Sequence, residues 1–223
     1  MKKLIVLFSM CLLLFGVIGV ADATTINFLF GTNGNEFISP YAGVTTENFE
    51  GAPLSLWTWA GNFNFGLSGD IPGQASAPFG VSTKDASKYV SVPVNVNALP
   101  QSATVTNLGG SNNYFGLWWG SVDTYNTLTF LSGGSPVATF TGSDIIFPSP
   151  ANGNQTAPST NLYVNFLGLP SYDSFMMTST QYAFEADNIA IGNVNAVPEP
   201  ATMLLLGSGL LGLAGFARRR FKK

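Results

Sequence analysis

The sequence contains no histidine, and its one cysteine, Cys11, falls within the first 23 residues. Residues 24–196 thus offer neither thiol nor imidazole. That excludes disulfides, zinc sites built from Cys or His, and every catalytic triad that needs imidazole as its base. Charge is scarce as well. Lys84 and Lys88 are the only cations between residues 24 and 196, against ten carboxylates, for a net charge of −8. No arginine occurs before Arg218. A surface of that sign repels phosphate backbones, so nucleic acid is not an expected partner. Helical periodicity is also missing: no stretch of this region keeps a 3.6-residue apolar repeat over three turns. Few charges and many Asn, Ser, Thr and Gly would suit a disordered chain. The abundance of Phe, Trp, Tyr, Val and Ile argues for a packed core instead.

Long apolar runs occur only at the two ends. Lys2 and Lys3, the run Leu4 to Val20 and the tripeptide Ala21-Asp22-Ala23 have the three parts of a secretory signal, which places the mature start at Thr24. Cys11 lies inside the run and lacks the small preceding residues of a lipoprotein site. At the far end, Ala201 to Ala217 carries no charge and as a helix extends roughly 25 Å, close to a hydrocarbon core of about 30 Å. Arg218, Arg219, Arg220, Lys222 and Lys223 follow directly, and basic flanks stay on the cytoplasmic side. Both basic ends inside put everything between them outside. Pro198 and Pro200 stop the helix from extending outward, because proline lacks the amide donor and restricts its predecessor.

A plain anchor has no need of Val197-Pro198-Glu199-Pro200. That tetrapeptide, the short Gly- and Leu-rich span and the terminal Arg cluster together resemble the PEP-CTERM sorting signal. The resemblance implies recognition by exosortase, a membrane protease, with Val197, Pro198, Glu199 and Pro200 as the sorting motif and Arg218, Arg219 and Arg220 as the topology signal. It also implies transient anchoring in the inner membrane, followed by release or attachment at the cell surface.

Between the ends, residues 24–196 read as one all-β domain. Short apolar runs such as "NTLTFL", "VATFT", "KYVSVPV" and "NLYVNFLGL" alternate in twos and are broken by Gly, Asn, Ser and Pro. Nine or ten strands without a helix predict an antiparallel, jelly-roll-like β-sandwich, lying between a signal peptide (1–23) and a sorting tail with a transmembrane helix (197–223). "LWTWAGNFNF" reads as one strand, and the long loops are expected at 66–87 and 147–159. Phe115 and Leu117 share a strand face that is expected to point inward. The runs "YFGLWWGSVDTYNTLTF" and "AFEADNIAIG" resemble a recurring module of exosortase-dependent surface proteins. That likeness implies no catalytic residue.

Candidate sites follow from the remaining chemistry. Trp57 and Trp59 share a face and suit the core. Trp118 and Trp119 point to opposite faces, so one of them is a candidate surface ring; with Tyr125 they make a possible sugar-stacking set. Glu50, Glu185 and Asp187 lie near the two ends of the domain and are a candidate calcium set, hard oxygen donors being all this chain offers a metal. Asp123, paired with Glu50 or Glu185, has the residue type for glycoside hydrolysis; a turn role beside Asn126 is the plainer expectation. The expected function is an exported, exosortase-sorted surface protein, non-catalytic, serving as a structural or adhesive component of a polysaccharide-rich matrix. A carbohydrate-binding module is the alternative, and a hydrolase a third reading.

Overall fold

The computed structural model describes residues 24–29, 37–94, 99–145 and 152–194. The expected signal peptide and the sorting tail, with Val197 to Pro200 and Arg218 to Arg220, lie outside the described residues. Twelve strands are described: β1 (Thr25–Leu29), β2 (Thr45–Glu47), β3 (Thr58–Gly61), β4 (Asn64–Ser68), β5 (Lys88–Val92), β6 (Gln101–Thr106), β7 (Tyr114–Gly120), β8 (Asn126–Ser132), β9 (Ser135–Thr141), β10 (Leu162–Leu167), β11 (Ser174–Ser179) and β12 (Phe184–Gly192). Among the described residues the only helical pieces are two three-residue 3₁₀ turns, Gly142–Asp144 and Pro158–Thr160. No described helix is long and apolar enough to cross a membrane.

All pairings are antiparallel. Sheet A runs β1-β10-β7-β12-β5-β4, with β2 added to the C-terminal part of β12; sheet B runs β3-β6-β11-β8-β9. Within these, β5-β12-β7-β10 and β6-β11-β8-β9 are the two four-stranded halves of a jelly roll. Successive strands from β5 onward alternate between the sheets, except at the β8–β9 hairpin across Gly133-Gly134.

One core joins the two inner faces. Phe115 of sheet A meets Phe130 and Phe175 of sheet B edge-on, with ring centroids 5.1 and 4.9 Å apart. Trp119 stacks on Phe184 at 4.4 Å. Phe115 and Leu117 are both fully buried in this core, as expected from their shared face. Such offset and edge-on aromatic pairs add to the stabilisation from buried area.

The run "LWTWAGNFNF" is not one strand. It divides at Gly61 into β3 of sheet B and β4 of sheet A. Gly61 has φ +109°, and a Cβ there would sit 2.3 Å from the Ser102 carbonyl oxygen, so the crossing needs glycine. Both tryptophans of this run stay with the core, Trp57 and Trp59 each packing against Phe175.

The two outer faces differ. That of sheet A is roofed by residues 37–41 and by the β4–β5 connection, residues 69–87. Its Trp118, Tyr163, Asn165, Tyr89, Ser91 and Asp187 are at most 1% exposed. Among the described residues sheet B has no comparable cover: Thr58, Thr106 and Thr139 on its outer face are exposed.

Candidate functional site

Period-two alternation places Phe184 and Ala186 of β12 in the core and Glu185 and Asp187 on the outer face of sheet A. Little solvent reaches them there. The 69–87 connection folds across the sheet, pinned by Tyr89 donating to the Gly69 carbonyl (2.8 Å) and Phe79 N–H donating to Asn161 Oδ1 (2.9 Å). Asn161 Oδ1 also accepts from Ser121 N–H at 2.9 Å, tying the loop to the β7–β8 turn. Gly120 stands opposite Glu185 in the sheet, and Pro78 of the connection occupies the space a side chain would take.

Glu185 is 2% exposed. One carboxyl oxygen accepts from Ser76 N–H of the connection at 2.8 Å, and the other accepts from the Ser121 hydroxyl at 3.0 Å. Burial pushes its pKa up to about 8, the two donors pull it back, and the charge of Asp123 adds to the rise. Asp187 is fully buried, and burial pushes it up to about 9, helped by the neighbouring Asp85. The Ser87 hydroxyl lies between the Asp85 and Asp187 carboxyls, 3.0 Å from the latter. A hydroxyl has one proton, so it serves one carboxylate at a time. A proton held by Asp187 removes the repulsion that two carboxylates would otherwise feel. The cluster is closed by Lys84, which pairs with Asp70 at 2.6 Å and donates to the Ser76 hydroxyl at 2.7 Å. A cavity of about 420 Å³ lies beside it, with Asp70, Gln74, Gln155, Tyr182 and Glu185 in its wall.

Of the residues expected as calcium ligands, Glu185 and Asp187 lie under the connection and Glu50 lies in the segment between β2 and β3. Glu50 is exposed and accepts from Lys88 N–H at 2.7 Å. Glu185 and Asp187 are buried under the connection, engaged as described. Among the described residues no group of three Asp or Glu side chains is placed to hold a metal ion.

The expected surface ring is corrected by the fold. Trp118 and Trp119 do point to opposite faces, but they are 1% and 0% exposed. Trp118 is covered by Phe37, whose ring meets it at 4.7 Å, and by Tyr163. Neither indole can stack on a sugar. Tyr125 is half-buried and donates to the Tyr182 carbonyl at 2.6 Å. Asp123 sits in the β7–β8 turn, its carbonyl accepting from Asn126 N–H at 3.2 Å, and burial raises its carboxyl to about 6.

Sequence reasoning missed Asp85, Ser76, Ser121 and Asn161. For Asp85 a signal was present: in Asp85-Ala86-Ser87 the carboxylate accepts from the amide two residues on, at 2.9 Å, the spacing of an Asx-turn. Glu47 was missed too. It is 2% exposed, and its two oxygens accept from Phe49 N–H and Leu54 N–H at 3.0 and 2.8 Å, shaping the loop before β3.

Residues 196–220 match the PEP-CTERM protein-sorting motif. A comparison with curated proteins returns no match. The family match covers the tail and does not extend into the sandwich. The tail of the chain thus carries a PEP-CTERM protein-sorting motif, beginning shortly after the last described strand.

Proposed function

We propose that this chain is an exported surface protein, handed to exosortase by its tail, whose jelly roll acts as a non-catalytic structural or adhesive component of a polysaccharide-rich matrix. The observation that carries the sorting part is the motif at residues 196–220, just beyond β12. The non-catalytic part draws support from the acids. Glu185 and Asp187 spend their oxygens on Ser76, Ser121, Ser87 and the Asn188 amide, which makes them fasteners of the 69–87 connection. Glycoside hydrolysis needs two carboxyls facing each other across a sugar; here both acids are roofed by their own chain.

Mass spectrometry of the protein recovered from its own cells tests the sorting reading. Loss of the sequence beyond Pro-Glu-Pro is expected. Recovery of the bulk of surface protein with Arg218 to Lys223 intact would replace sorting by simple anchoring.

A further inference from the structure

The five strands of sheet B contain no charged residue. With Ala103, Val105, Leu128, Phe130, Phe175 and Met177 turned into the core, alternation turns their neighbours outward. The strand registers then align these in rows. Thr58, Thr106, Ser174 and Leu131 form one row, and Ala60, Thr104, Met176, Thr129 and Thr139 the next. Ser102, Thr178, Thr127 and Thr141 form a third. Ten of these thirteen residues are serine or threonine, so the rows make a hydroxyl-rich face, interrupted by Ala60, Leu131 and Met176 and spaced about 4.8 Å from strand to strand.

At one end this face becomes the floor of a groove of about 1070 Å³. Thr58, Thr104, Thr106 and Ser174 lie in the floor, and residues 107–111 line one side. Leu56 faces that side, 66% exposed, and is the most exposed large apolar side chain of the described residues. Gly109 leaves the space before it open; even an added Cβ would only reach contact distance, 3.9 Å, from Leu56 Cδ1. Asp173 closes the end of the groove. Its oxygens accept from Gly133 N–H (2.7 Å) and from the Ser174 hydroxyl (2.8 Å), which leaves lone pairs for further donors. The Gly133 amide holds this carboxyl below the usual range, so it stays ionised.

We infer that the groove and outer face of sheet B bind a neutral polysaccharide, the hydroxyl rows and Asp173 hydrogen-bonding its hydroxyl groups and Leu56 packing on a ring's C–H face. This rests on the surface-protein reading and names its partner. Charge selects the class. The domain's net charge of −8 repels a polyanion, and the two cations that could offset it, Lys84 and Lys88, lie in the 69–87 connection and in β5 of sheet A. A field without charge desolvates cheaply and suits a ligand that is itself uncharged and rich in hydroxyl groups.

Full-length protein in detergent, passed through gels containing cellulose derivatives, xylan, mannan, dextran or alginate, provides the test. Retardation by at least one neutral polymer and none by alginate is expected. Thr106→Lys and Leu56→Ala, both at exposed positions, should each weaken retardation at least tenfold with an unchanged circular dichroism spectrum. Asp173→Asn should weaken it less. Retardation by none of the neutral polymers, equal retardation by alginate, or binding indifferent to Thr106→Lys and Leu56→Ala would overturn the inference. So would a dimer in light scattering that Thr106→Lys dissolves, since the face would then belong to a second copy. Because binding is measured on the isolated chain, its failure leaves the sorting reading intact, and an uncleaved tail in cells leaves the binding result intact.

Discussion

Sheets A and B are built from the same kinds of strand, yet among the described residues one is covered on both faces and the other on one. On sheet A, the outer row holds Tyr114, Trp118, Tyr163, Glu185 and Asp187, every one at most 2% exposed. On sheet B, the outer rows hold threonine and serine, with Thr58, Thr106 and Thr139 exposed. The charged strand residues Glu47, Lys88, Glu185 and Asp187 all belong to sheet A. The difference teaches that burial under a loop can place ionisable groups where a sheet alone would leave them in water. It also shows which outer face keeps exposed side chains.

The largest effect should come from the covered face. Trp118→Ala removes a ring packed between Phe37 and Tyr163, and should cost about 3–5 kcal/mol in urea unfolding. A cost under about 1 kcal/mol would mean that the cover contributes little.

The second effect depends on pH. Glu185 and Asp187 are raised to about 8 and about 9 from ordinary values of 4.5 and 3.8. The folded state therefore keeps protons that the unfolded chain has released, and stability must fall as pH rises between those limits. The contribution is whole below about pH 4 and is lost through pH 8–9. Thermal midpoints should be higher at pH 5 than at pH 9, and the double variant Glu185→Gln, Asp187→Asn should flatten the difference. A midpoint that climbs with pH would show that these acids are ionised in the folded protein.

A smaller loss is expected where the chain passes from sheet B to sheet A. Gly61→Ala adds a Cβ against the Ser102 carbonyl at a left-handed φ, and should cost about 1–3 kcal/mol. An unchanged unfolding midpoint would show that the crossing relaxes easily. Least of all, Thr139→Ala on the bare face should change stability by less than about 0.5 kcal/mol. A larger loss there would argue that the outer face of sheet B is also covered.

Much of this is legible in the sequence. Alternation in "NTLTFL" and "VATFT" reappears as the β8–β9 hairpin, and Phe115 with Leu117 points inward as their spacing requires. The strand β6, "QSATVT", was harder to see, because its outward positions are small hydroxyl residues that resemble loop composition. The division of "LWTWAGNFNF" was hidden for another reason: a glycine inside an apolar run marks a break only when a neighbouring carbonyl lies where its Cβ would be.

By itself the sequence determined the all-β class, the absence of thiol and imidazole chemistry between the ends, and the sorting signal. Each of these depends on residues adjacent in the chain: a two-residue period, a missing residue type, or a motif read in order. Only the tertiary structure decided that Trp118 lies under Phe37, that Asp85 meets Asp187 across 102 positions of sequence, and that Glu50 is exposed while both β12 acids are buried. Those outcomes turn on which loop covers which face. A period-two pattern tells the two faces of a strand apart, but it carries no information about what, beyond the sheet, will be laid against either one.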